Sequence, residues 1–133
     1  MIDLESTEFE RKYTRVIGVL LIAAGLLGFV FGDRLFGITV SGLHNTAHLG
    51  AGLAALLCAA VAGGKYAFRF NQIVGLSFVG LGVLGFLGLE PFTQLLHLNP
   101  AGNWFHTLLG AVTLIIGIGI ELPHKYTPEW WQT

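Results

Sequence analysis

Charge is what this sequence has least of. Asp, Glu, Lys and Arg make up 11% of the 133 residues, and the mean hydropathy is +0.69. Soluble domains carry about 25% charged residues. So large a deficit leaves too little charge to cover a water-exposed surface. Cysteine is nearly absent as well: Cys58 is the only one, which excludes an internal disulfide and leaves a small packing residue within an apolar run. The net charge of −1 provides no basic stripe, so nucleic acid is not an expected partner. No small-residue cleavage site follows the first apolar run, so that run is expected to be a retained anchor. No G-x-S-x-G, H-E-x-x-H or Walker motif occurs, and no paired carboxylates lie within an apolar run. Neither an enzyme nor a transporter is expected.

What is present are long charge-free runs: 16–32, 35–64, 70–89 and 91–120. A helix crossing about 30 Å of hydrocarbon needs roughly 20 residues. The pattern predicts an all-α integral membrane protein forming one domain over 1–133. Its four transmembrane helices are expected near 15–32, 42–62, 70–89 and 101–121. Thr7–Glu10, "TEFE", has capping-box spacing for the start of the first helix. Arg11, Lys12, Arg15, Lys65, Arg69 and Lys125 then fall on one side, and Arg34 alone on the other. Short cytoplasmic loops hold the excess of Lys and Arg, which places both termini in the cytoplasm. Beyond the last span, Tyr126, Trp130 and Trp131 suit the headgroup level, so 122–133 is expected to lie as an interfacial cytoplasmic tail. Glu90 and Glu121 mark helix ends, and His97 and His124 are read as boundary residues. The apolar outer connections, "DRLFGITVSG" and "EPFTQLLHLNP", are expected to form short helical turns in the interface.

The chain repeats itself. Gly18, Gly25 and Gly28 align with Gly75, Gly82 and Gly85 at an offset of 57 residues. Asn45, His48 and Gly52 align with Asn103, His106 and Gly110 at an offset of 58. Repeat one runs from about 15 to 64 and repeat two from about 70 to 121. Each holds two spans, so both enter the membrane in the same sense. The expectation is two helical hairpins in a parallel repeat, with a pseudo-two-fold axis along the membrane normal. Glycines at these spacings share one helix face, and close approach is what drives association where lipid removes the hydrophobic force.

Ser41 and Asn99-Pro100 are expected helix starts. They put Asn45 and His48, and likewise Asn103 and His106, on one helix face about 9–10 Å from the outer end. These residues are candidates for structural hydrogen bonds that fix helix register or tie down the loops. The alternative is ligation: His48 or His106 holding a haem or chlorophyll-type pigment with His44 as a possible additional ligand, or His44 and His48 at i, i+4 chelating a transition metal. No metal site is assigned: Gly102 stands at the counterpart of His44, and no Asp, Glu or Cys flanks the histidines in sequence.

"GLLGFVFG", "LFGITVSGLHNTAHLGAGLAALL" and "LLHLNPAGNWFHTLLGAVTL" resemble a bacterial domain-of-unknown-function family of small four-helix membrane proteins, over roughly residues 14–121. Its pattern is a G-x-x-G-F helix end followed by an N-x-x-H-x-x-x-G phrase. Ser41-Gly42 departs from the Asn-Pro often found there. The resemblance implies the fold and a bacterial inner or photosynthetic membrane, and no activity. The expected role is a non-enzymatic accessory subunit, partnered by the lipid bilayer and by subunits of a larger photosynthetic or respiratory complex or by copies of itself.

Overall fold

The computed structural model describes residues 8–119. The tail residues Tyr126, Trp130 and Trp131, the N-terminal Thr7, and Glu121 and His124 lie outside the described residues.

Four long helices, α1 (Glu8–Phe31), α2 (Gly42–Ala60), α3 (Ala67–Phe86) and α5 (Pro100–Gly119), are long and apolar enough to cross a bilayer. This is an integral membrane protein of the all-α class. A one-turn helix, α4 (Phe92–Leu95), precedes α5, and a tight turn over Val61–Gly64, with Ala62, Gly63 and Gly64 at positive φ, follows α2. Both anticipated caps form. The Ser41 hydroxyl accepts the His44 amide at 3.1 Å, and the Asn99 side chain accepts the Gly102 amide at 2.9 Å. Each satisfies an amide that the first helical turn leaves without a partner.

The first outer connection differs from expectation. Instead of helical turns it forms a small antiparallel hairpin, β1 (Arg34–Leu35) with β2 (Ile38–Thr39). Phe36 (φ 50°) and Gly37 (φ 84°) both take positive φ, as a tight two-residue hairpin turn demands. The β-branched Ile38, Thr39 and Val40 then favour extended chain over helix.

Glycine sets the helix pairing. α1 packs against α2, and α3 against α5, at backbone contact. A Cβ on Gly52 would lie 2.7 Å from the Gly18 carbonyl oxygen, and one on Gly110 would lie 2.8 Å from that of Gly75. Neither position admits a side chain. Between the two hairpins, residues aligned by the repeat offsets meet each other. The Thr14 hydroxyl donates to Asn71 Oδ1 at 2.9 Å, and Leu21 packs with Phe78 in an apolar cluster with Ile17. A further link joins α1 to α5. Because Thr113 donates to the Leu109 carbonyl, the Tyr13 hydroxyl is the donor to Thr113 Oγ1, at 2.6 Å. Glu10, on the same layer, is fully buried.

The bundle thus has two unlike ends. At one, Arg11 donates to the Gly63 carbonyl and Arg15 to that of Ala59, cations placed where a helix C-terminus presents free carbonyls. At the other, the two outer connections interlock. Thr39 donates to the His97 carbonyl, Ser41 to that of Leu95 (2.9 Å), and Asn99 Nδ2 to that of Gly37 (2.9 Å).

Candidate functional site

The glycine contacts that close the helix pairs also place the polar residues. In both hairpins an asparagine amide fills the space a side chain would need: Asn45 against Gly28, and Asn103 against Gly85. Asn45 is 3% exposed and so is Asn103, and neither Oδ1 has a conventional hydrogen-bond partner. Each oxygen faces a glycine Cα, a weak C–H···O arrangement of about 0.5–1 kcal/mol. The asparagine amides are thus packed between the paired helices, and neither lines the cavities beside the histidines.

Beside these asparagines, the histidines converge. His44 and His48 share a face of α2 at i, i+4, and α5 brings His106 opposite them. The ring centroids are 4.5 Å apart for His44–His48, 5.2 Å for His44–His106 and 6.0 Å for His48–His106. One ring nitrogen from each lies within 4.8 Å of the others. His44 and His106 are buried, and His48 is half-buried. Among the described residues, no Asp, Glu or Cys belongs to the cluster.

The tautomer of His44 follows from its partner. Its Nδ1 lies 3.0 Å from the Leu96 carbonyl oxygen, which can only accept, so Nδ1 carries the proton. In a neutral ring that leaves the lone pair on Nε2. A carbonyl holding one nitrogen while the other is free to ligate is the usual support of a metal-binding histidine. His106 Nδ1 is buried with no hydrogen-bond partner. Phe78 closes the site from below, 5.4 Å from His106 and 6.3 Å from His48 between ring centroids. With Ile17 and Leu21 it separates the histidines from the Thr14–Asn71 layer.

Two cavities flank the three rings. The larger, about 410 Å³, lies between α1 and α5 under the β-hairpin. The smaller, about 220 Å³, lies between α2 and α3. The arrangement offers three imidazole nitrogen donors in an apolar setting, a set that can hold one transition-metal ion.

The sequence pattern of a family described as "Domain of unknown function (DUF4383)" matches residues 11–119. The chain belongs to that family. No curated protein and no solved structure matches it. Membership accounts for most of the chain, including both helical hairpins and all three histidines.

His44 was the member of the cluster hardest to assign in advance, because Gly102 occupies its counterpart in the second repeat. In space the gap is filled: a Cβ on Gly102 would lie 3.2 Å from Ile38 of the β-hairpin. The set of three arises because α2 contributes two histidines and α5 one. Glu10 was also hidden, since its position before Arg15 reads as outside the membrane.

Proposed function

We propose that this protein is a membrane-embedded transition-metal binder whose ion is held by His44, His48 and His106. The single observation that carries this is the convergence of three ring nitrogens within 4.8 Å, in a cluster where His106 Nδ1 is buried with no hydrogen-bond partner among the described residues. Buried polar groups otherwise find partners, and leaving one without costs about 1–3 kcal/mol. An ion would draw one nitrogen from each of the three rings at once. Imidazole donors suit copper and zinc, and copper stands highest in affinity among divalent first-row ions.

The same geometry favours a bare ion over a haem or chlorophyll-type pigment. A macrocycle held between His48 and His106 needs its plane clear, and the His44 ring sits within 4.8 Å of both donors. An accessory-subunit role draws on composition alone. Exposed apolar side chains such as Val30, Ile73 and Ile115 (74%, 65% and 65% exposed) lie around the bundle as lipid contact requires. They mark out no partner face among the described residues.

In this reading the basic end is cytoplasmic and the histidines lie in the outer leaflet. Contacts between repeat-aligned residues, Thr14 with Asn71 and His48 with His106, support a pseudo-two-fold axis passing beside the site.

The test is metal content of protein purified from membranes grown with added copper or zinc. One ion per chain is expected in the wild type. His48→Ala and His106→Ala are expected to fall below about a tenth of that, since each removes a ligand. Equal metal in wild type and both variants would refute the proposal.

A further inference from the structure

Three imidazoles leave the ion's charge uncompensated. A cation in low dielectric is strongly disfavoured unless an anion accompanies it, and among the described residues the cluster contains no carboxylate or thiolate. The described residues therefore leave room for a balancing group supplied by a second molecule. What surrounds the histidines determines what can reach them.

The cavity of about 410 Å³ touches all three rings, and the rest of its wall is apolar, built from α1, the β-hairpin and Phe105 of α5. Leu20 and Phe105, on opposite sides of the cleft, are 58% and 49% exposed on the lipid-facing surface. The hydrogen bond that joins α1 to α5, Tyr13 to Thr113, lies near the basic end and leaves the cleft open beside the histidines. An occupant entering here would come sideways from the bilayer, with an apolar body and one polar end.

We propose that this cavity admits a long-chain carboxylate, a fatty acid, whose head completes the coordination of the ion while its chain lies along Ala23, Ala24 and Leu27. The head supplies the missing negative charge, and an oxygen ligand is compatible with a histidine-bound zinc ion. The chain fits a wall without hydrogen-bonding side chains apart from the imidazoles. The smaller cavity, between α2 and α3, is about half the volume and has Ser77 in its wall, so the α1–α5 cavity is the one that suits a long apolar chain.

This inference rests on the ion reading above, and the experiment separates the two. Full-length protein in a neutral detergent is loaded with zinc, mixed with oleate and weighed intact by native mass spectrometry. The expected species carries one zinc and one oleate. Oleate occupancy is expected to drop about tenfold when zinc is stripped. Ala24→Trp, which fills the cavity, is expected to keep zinc and lose oleate to the same extent. Ala23→Leu, a smaller intrusion on the same wall, replaces it should Ala24→Trp fail to retain zinc. Zinc without oleate on the wild type overturns the carboxylate proposal and leaves the ion reading standing. So does oleate bound equally by stripped protein or by the cavity-filling variant. Absence of zinc from the wild type overturns both.

Discussion

At His106 a buried Nδ1 has no hydrogen-bond partner, whereas Phe at the same place would have no polar atom to satisfy. His106→Phe is therefore expected to leave the metal-free protein as stable as the wild type or slightly more so. Its effect should appear with the ion present. A ligand at 100 times its Kd stabilises the folded state by about 2.7 kcal/mol, and the variant is expected to lose most of that increment. Thermal melts in detergent, with and without zinc, measure it. Glycine gives a second residue-scale contrast. A Cβ on Gly85 would collide with the Asn103 amide, while one on Gly80 would meet nothing within 4 Å. Gly85→Ala is expected to cost about 1–3 kcal/mol, the usual range for overpacking. Gly80→Ala should sit within about 0.5 kcal/mol of the wild type by the same unfolding assay.

Element by element, the helices were the most legible part of the sequence, because charge gaps and capping residues both report on them. The spans expected near 42–62 and 101–121 correspond to α2 and α5, whose Ser41 and Asn99 caps form as anticipated. Asn99 does more than cap. Its Nδ2 also holds the β-hairpin through the Gly37 carbonyl, whereas Ser41 holds the Leu95 carbonyl of the second connection. Removing a cap costs about 1 kcal/mol, so Ser41→Ala and Asn99→Ala should each lower stability by at least that much. Simultaneous replacement is expected to loosen both outer connections, read as faster hydrogen exchange at residues 33–41 and 91–98. The hairpin itself was not legible. Its turn residues, Phe36 and Gly37, lack the Asn-Gly or Asp-Gly pair that announces such a turn, and its two-residue strands are too short to alternate. The three-histidine site was half legible. The i, i+4 spacing paired His44 with His48, and the repeat singled out His106, but their convergence depends on how the hairpins sit together. No local pattern encodes that.

For the whole molecule, pairing within each hairpin is set by glycine faces, and pairing between hairpins by few contacts around Leu21 and Phe78. The site occupies that looser seam, which is why cavities flank it on both sides. The basic end is expected to face the cytoplasm. With Cys58 replaced by serine, a cysteine at position 36 should react with a membrane-impermeant thiol reagent from outside intact cells, and one at position 63 should not. The reverse pattern would invert the assigned orientation. The central claim concerns the ion itself, and X-ray absorption at the metal edge of the zinc- or copper-loaded protein tests it most directly. Three imidazole nitrogens at about 2.0–2.1 Å are the expected shell for zinc, reduced in His48→Ala. A shell made only of oxygen, or one unchanged by the loss of His48, would contradict the account.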